Sequence, residues 1–247
     1  FEKIGFFWSI CTMNLSIIMP VYNAVNTVVR SINSYKRLSK LTDIDCKLYI
    51  IDDFSSDGTR EYLKELKSKR PNYTILFHNR NCGKGRAIRT ALEQVIGDYT
   101  IIQDADLEYD PSNIPMLLNN AIKNNFDVVY GSRRLNKSNN QHSSIWFFWG
   151  GVILSFITNI IFKTRITDEP TCYKLIKTDL LKSLNLISEG FDFCPEVTSK
   201  IALKGIEIHE IPINYYPRKT KDGKKIKWID GVKAIGTLIE WRLKGFY

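Results

Sequence analysis

Ile101-Ile102-Gln103-Asp104-Ala105-Asp106-Leu107-Glu108 decides how this chain is read. Its first residues close an apolar run, Tyr99–Gln103, with the length and character of a buried strand. The run leads straight into carboxylates at alternate positions. Side chains alternate along an extended chain, so the spacing predicts that Asp104 and Asp106 project to one side, with Glu108 continuing the series. Hard oxygen donors of this kind suit Mg²⁺ or Mn²⁺, ions whose coordination is commonly completed by substrate phosphates. The segment therefore points to an enzyme that handles a phosphorylated or diphosphate substrate.

Outward from this segment, the pattern of strand followed by polar loop repeats. Leu15–Met19, Lys47–Ile51, Tyr73–Phe77 and Asp127–Tyr130 read as further strands. The first ends at Pro20, the second in the turn Asp52-Asp53-Phe54-Ser55-Ser56-Asp57-Gly58, and the last at Gly131. Helices are predicted over Val25–Tyr35, from Thr59, and from Asn81-Cys82-Gly83-Lys84-Gly85 through Val95. Another opens at Asp110-Pro111, with Asp as N-cap and Pro in the first turn. Alternating strands and helices predict an α/β fold, a mostly parallel central sheet with helices on both faces. Such sheets bind ligands at the carboxyl ends of their strands, where Ser55, Gly83, Asp104 and Gly131 all fall.

After Gly131 the rhythm changes. Ser143–Phe162 holds no charged residue and is dense in aromatics, while Gly151, Ser155, Thr158 and Asn159 share one helical face. A membrane span needs about 20 apolar residues, so length alone leaves three placements open: interfacial helix, buried core helix or full span. Two tryptophans at one end, with Lys163 and Arg165 at the other, suit an interfacial helix on the acceptor side over residues 143–165. Beyond it, Pro195 introduces a helix over Glu196–Lys204 and Ile206–Ile213 reads as a strand. Tyr215–Lys227 is a basic loop, and Trp228–Leu243 a final amphipathic helix. Residues 13–247 are expected to form one domain, with residues 1–12 an upstream extension or an expression remnant.

A net charge of +9 favours an anionic partner. Nucleic acid is not expected, because the aromatics do not interleave with the basic residues as a stacking platform requires. Five scattered cysteines without a Cys-x-x-Cys spacing predict reduced thiols, with neither disulfide framework nor zinc site. His78, His142 and His209 share no spacing and are expected to be structural or exposed.

Several of these segments fall in a known order: Met19-Pro20-Val21-Tyr22-Asn23, then Ile51 to Thr59, then Gln103 to Glu108. Asn81 to Gly85, Gly131-Ser132-Arg133, Thr167-Asp168-Glu169-Pro170-Thr171-Cys172-Tyr173-Lys174 and Ile211 to Arg218 extend the match. From Met13 to about Arg242 the chain resembles family 2 glycosyltransferases of the GT-A fold, especially the polyprenyl-phosphate (dolichyl-phosphate) mannose synthase branch. The resemblance implies an inverting, metal-dependent transferase, peripheral at the cytoplasmic face of a membrane. Its donor would be a GDP- or UDP-hexose, and its acceptor a dolichyl or undecaprenyl phosphate. A glycan hydroxyl is the alternative acceptor. A membrane surface and an anchoring protein are further expected partners.

The resemblance also assigns residues. Pro20, Tyr22, Asn23, Asp52, Asp53 and Lys84 would hold the nucleotide, and Asp104, Ala105 and Asp106 the diphosphate and its Mg²⁺ or Mn²⁺. Glu108, where that branch often has Gln, would be a third metal ligand. Arg133, Arg218 and Lys225 would surround the phosphates, with Lys224 an alternative to Lys225 because the loop is longer than in some relatives. Ala24 stands where many synthases carry Glu, which leaves the donor base open. Asp168 is the candidate general base toward a hydroxyl acceptor; an N-cap or an ion pair with Lys174 is the structural alternative. Arg134 is expected to be a surface charge, and Glu196 either faces the acceptor or serves a helix first turn. A nucleotidyltransferase is disfavoured because Met19–Ala24 lacks a glycine-rich basic signature. A membrane-bound scaffold would have no need of the Asp104/Asp106 pair.

Overall fold

The computed structural model describes residues 13–41, 44–70, 73–139, 145–218 and 228–245. Strands β1 (Asn14–Val21), β2 (Asp45–Asp52), β3 (Thr74–Phe77), β4 (Tyr99–Ile102), β5 (Val128–Ser132), β6 (Lys174–Lys177) and β7 (His209–Pro212) form one sheet. Its order is β3-β2-β1-β4-β6-β5-β7. Around the sheet lie α1 (Val28–Leu41), α2 (Thr59–Lys69), α3 (Lys84–Leu92), α4 (Ile114–Asn124), α5 (Ile145–Phe162), α6 (Thr178–Ser183), α7 (Phe193–Leu203) and α8 (Trp228–Lys244).

β1 is buried almost throughout because it lies inside the sheet, paired in parallel with β2 on one side and β4 on the other. Strands covered on both faces need continuous apolar runs, which is why Leu15, Ile17, Ile18 and Met19 could be read as a strand from sequence. Successive connections run from β1 outward to β2 and β3, then return to β4 on the other side of β1. That reversal splays the loops after β1 and β4 apart and opens a crevice at their carboxyl ends. Pro20–Ala24 and Asp104–Asp106 border it.

Two elements escape sequence reading. β6 runs antiparallel between β4 and β5, so the sheet is mixed rather than wholly parallel. Lys174-Leu175-Ile176-Lys177 begins and ends in lysine, yet Lys174 is 1% exposed. Its ammonium donates to the Glu169 carbonyl at 2.6 Å and sits 3.8 Å from the Tyr130 ring centroid, satisfied by partners that only the fold brings together. The short helix α6 follows directly. Boundaries shift elsewhere: α1 starts at Val28 because the Ala24 carbonyl first closes a turn with Thr27 and Val28, and β7 is trimmed to His209–Pro212.

α5 turns its polar residues inward. Ser155 and Thr158 are buried, while Trp146, Trp149, Ile153, Phe156 and Ile160 are each more than half exposed. Ser155 Oγ accepts the Glu169 N–H, and Asn159 clasps the backbone of Ile166. Leu154 packs on Ala234 and Leu238 of α8. One face of α5 is open, and no helix among the described residues is long and apolar enough to cross a membrane.

Candidate active site

A cleft of about 960 Å³ runs from the loop after β1, past Asp104 and Asp106, to α5 and α8. That volume matches the usual range for small-molecule sites, roughly 300–1,000 Å³. Its walls change character along the way: polar loops at the sheet, apolar side chains such as Phe148, Leu154, Val232 and Ile235 at the helices.

At one end the turn after β2 shapes the rim. Asn23, at φ 45°, donates its N–H to Ser55 Oγ at 2.9 Å and accepts from Ser56 N at 2.8 Å. Asp57 accepts from the Thr59 N–H and hydroxyl beside the start of α2, but Gly58 holds the N-cap position, so Asp57 braces the turn and is not the helix cap. Asp52 and Asp53 part company here. Asp52 is fully buried, accepting Arg60 Nη1 at 2.7 Å and Ser55 N at 3.2 Å; it braces the turn and does not line the cleft. Asp53 does line it, its oxygens accepting from His78 Nδ1 and from the Cys82 and Gly83 N–H groups at 2.7–2.8 Å. Asp53, His78 and Cys82 are the one group of metal-capable side chains that converges among the described residues. Both His78 nitrogens are already engaged, by Asp53 and by Thr90 Oγ1. The glycines opening α3 are steric necessities. A Cβ at Gly83 would lie 2.4 Å from the Glu189 carbonyl oxygen, and one at Gly85 2.6 Å from that of Ser188.

The acidic motif departs from the predicted geometry. β4 ends at Ile102 and Leu107 has φ 66°, so the carboxylates sit in a turn and the alternation of an extended chain does not carry through them. Lys84 Nζ lies 2.7 Å from Asp104 Oδ1, while Arg218 Nη2 lies 2.8 Å from Asp106 Oδ2. Glu108 folds back: Oε2 accepts the Tyr215 hydroxyl at 2.7 Å, and Oε1 accepts the Arg218 N–H at 3.1 Å and Nε at 3.2 Å. Its oxygens therefore anchor the segment 215–218, contrary to the expectation of a third metal ligand. Charge tests whether Asp104 and Asp106 suit a divalent ion. Burial, then the neighbouring Asp104 and Glu108 carboxylates, push the Asp106 carboxyl up to about 6 despite Arg218. A buried carboxylate crowded by two others gains from a further cation, so the donor set fits a divalent ion.

Arg133 and Asp168 close the centre. Asp168 is fully buried and accepts the Arg133 N–H at 2.9 Å, Nε at 2.7 Å and Nη2 at 2.6 Å. Burial pushes its carboxyl up, but the charge and hydrogen bonds of Arg133 outweigh burial and hold it below the usual carboxylate range. The alternative of an ion pair with Lys174 is thus corrected, since Lys174 lies beside Glu169 instead. Arg134 is no free surface charge either. It donates to the Thr167 carbonyl at 3.0 Å and stacks over Phe148 of α5. Glu196 is buried, accepting from Ile187 N and Ser188 N and pairing with Lys200 at 2.7 Å, which settles it as a first-turn carboxylate.

Pro20, Tyr22, Asn23, Asp53, Lys84, Asp104, Ala105, Asp106, Glu108, Arg133 and Arg218 all border the one cleft. Asp52 and Asp168 stand behind it as supports for Arg60 and Arg133. Lys224, Lys225 and His142 lie outside the described residues. Sequence reading missed Glu169, Tyr109 and the lining residues of α8. Only the Thr167–Lys174 motif held a trace of the first, and long-range packing carries the rest.

The fold and cleft can be set beside known proteins. An undecaprenyl-phosphate mannosyltransferase of Micrococcus luteus is 27% identical over 241 residues, covering 94% of this chain and 95% of that protein. A low-salt glycan biosynthesis hexosyltransferase of Haloferax volcanii is 27% identical over 209 residues, 83% of this chain. An undecaprenyl-phosphate 4-deoxy-4-formamido-L-arabinose transferase of Proteus mirabilis is 32% identical over 148 residues, 60% of this chain. The matches span only 48% and 41% of those last two proteins. Among solved structures, glucosyl-3-phosphoglycerate synthase of Mycobacterium tuberculosis superposes with a TM-score of 0.68 at 16% identity, covering 95% of this chain and 82% of that one. A Pyrobaculum calidifontis mannosyltransferase in complex with GDP-Man and Mn²⁺ gives 0.54 at 19%, covering 80% and 54%. These likenesses show the GT-A fold. The profile of Glycosyl transferase family 2 matches residues 16–184, and the chain belongs to that family of glycosyltransferases.

Proposed function

We propose that this glycosyltransferase moves a hexose from a nucleotide-diphosphate sugar to a polyprenyl phosphate at a membrane surface. The observation that carries the proposal is the cleft itself, which joins a carboxylate-and-cation end to an apolar mouth between α5 and α8. An acceptor with a phosphate head and a hydrocarbon tail matches both halves. The relatives that act on undecaprenyl phosphate by name support the same acceptor class.

Asp104 and Asp106 would hold Mg²⁺ or Mn²⁺ with the donor diphosphate, and the ion would neutralise charge on the departing nucleoside diphosphate. The chain's own residues do the rest. Lys84, at the start of α3, pairs with both oxygens of Asp104 and adds positive charge beside the phosphates. Arg133 presents a guanidinium to the acceptor phosphate, aimed by Asp168 and by the faces of Tyr109 and Tyr215. A lipid phosphate is already anionic and attacks the anomeric carbon without a base, inverting it. A glycan hydroxyl would need one, and both oxygens of Asp168 are taken by Arg133.

The exposed apolar faces of α5 and α8 would rest in the head-group region, flanked by the exposed Lys163, Arg165, Lys233 and Arg242. This arrangement makes the protein peripheral, with any anchoring partner binding elsewhere. Changing Trp146 and Trp149 to serine should weaken sedimentation with anionic vesicles by about a hundredfold or more, since each buried aromatic stabilises by about 1.5–3 kcal/mol. Unaltered vesicle binding would remove the membrane-facing role of α5.

The activity is tested by offering nucleotide-sugars with Mn²⁺ or Mg²⁺, with and without undecaprenyl or dolichyl phosphate. Radiolabel should pass only to the lipid phosphate. Transfer to free glycans with none to lipid would overturn the assignment.

A further inference from the structure

Among the described residues, Glu169 is the one side chain of the cleft with a buried oxygen lacking a hydrogen bond. It is fully buried yet lines the cleft. Its Oε1 accepts the Thr198 hydroxyl at 3.3 Å, and the Lys174 ammonium lies 4.0 Å away. Its Oε2 has no hydrogen-bond partner, one of four such buried side-chain atoms among the described residues and the only carboxylate oxygen. The other three are serine hydroxyls outside the cleft, which can rotate toward any neighbour. A carboxylate oxygen cannot rotate out of its deficit, and buried polar atoms in native proteins nearly always find a donor. Burial, opposed by Lys174 and Thr198, raises the Glu169 carboxyl, which fits a group still short of stabilising contacts.

The backbone around it is held firmly. Its own N–H donates to Ser155 Oγ at 2.9 Å and its carbonyl accepts Lys174 Nζ at 2.6 Å, which fixes the backbone at this position between α5 and β6. Three residues on, Cys172 lies 3.7 Å from Lys84 Nζ, and that ammonium touches Asp104. Glu169 thus belongs to the segment next to the diphosphate end, where a donor's sugar ring would lie.

We infer that Glu169 is a specificity-determining residue for the donor hexose, its Oε2 accepting a hydrogen bond from one sugar hydroxyl. This rests on the glycosyltransferase reading and deepens it. Because Oε1 is already engaged, Glu169 offers one acceptor and discriminates at one ring position.

Calorimetric titration with Mn²⁺ present tests this, comparing UDP, GDP, UDP-glucose and GDP-mannose, then monodeoxy analogues of the sugar nucleotide that binds. The unaltered protein should lose about tenfold in affinity for one monodeoxy analogue, the scale of a hydrogen bond to a charged group. Glu169→Leu should bind the parent sugar nucleotide about tenfold more weakly and no longer distinguish that analogue, with affinity for the bare nucleotide unchanged. Glu169→Gln, nearly isosteric and safe for folding, should show an intermediate loss of about fivefold on the sugar nucleotide alone. Equal weakening of bare nucleotide and sugar nucleotide would reveal a merely structural role and overturn the inference. So would full retention of hydroxyl discrimination in either variant. Failure of the unaltered protein to bind any of the four nucleotides would instead bring down the glycosyltransferase reading, and this inference with it.

Discussion

Asp106→Ala should lower sugar transfer by roughly 10²–10³-fold, the usual loss when one preorganised electrostatic contact to a developing charge is removed. The residue sits just past the end of β4 near Asp104, in the turn where three carboxylates meet two cations, Lys84 and Arg218. Removing it leaves a divalent ion one carboxylate fewer, so Mn²⁺ affinity measured by electron paramagnetic resonance in the presence of UDP should fall together with turnover. The fold should survive, because Arg218 keeps its N–H and Nε bonds to Glu108 and Tyr215 keeps its hydroxyl bond there. A thermal midpoint close to that of the parent would establish that the loss is chemical. Unchanged turnover would sink the assignment of Asp106 to the diphosphate and its metal.

The second large effect belongs to Asp168. Changing it to alanine strands Arg133, whose Nε, Nη2 and backbone N–H all point at the missing carboxylate. Breaking a buried pair from one side typically costs about 3–5 kcal/mol. For a chain of this size that corresponds to a fall of roughly 6–20 °C in thermal midpoint. Acid unfolding offers a sharper reading. Asp168 titrates below the ordinary carboxylate value in the folded state. Its contribution to stability is therefore complete above about pH 3.9, where an unfolded aspartate ionises, and is lost as pH falls through the lower folded value. Asp168→Asn should be less stable at neutral pH and show a shallower decline below about pH 4. Catalytically, both variants should raise KM for the phosphate acceptor by loosening Arg133. Parent-like stability in Asp168→Ala would mean the pair contributes little. A parent-like KM would separate it from acceptor binding.

Both residues were marked in the sequence, but neither was marked for the arginine it meets. Asp106 announces itself because an apolar run that breaks into closely spaced carboxylates gathers negative charge that calls for a cation. Asp168 shares its fate with a residue 35 positions away, whereas the sequence offered only a base role, an N-cap or the nearer Lys174. Asp52 and Asp53 show the same limit. They are adjacent and chemically identical, yet Asp52, the last residue of β2, pairs with Arg60 while Asp53, just past it, enters the cleft with His78. Glu108 continues the motif's spacing perfectly and still turns away, since the backbone leaves extended geometry at the end of β4.

Taken alone, the amino-acid order determined the alternation of strands and helices, the side of the sheet that carries the site, and the family. The first two follow from local patterns, apolar runs and turn residues, whose physics acts within a few residues, while the family rests on the resemblance of ordered motifs. The tertiary structure decided what depends on distant partners. It buries Lys174 in an antiparallel strand, locks Asp168 to Arg133, and turns the polar face of α5 inward so that its tryptophans face out. A buried charge or polar group is tolerated only where a specific partner stands within hydrogen-bonding distance. Such partners are set by how the chain crosses itself, and no local pattern records that crossing.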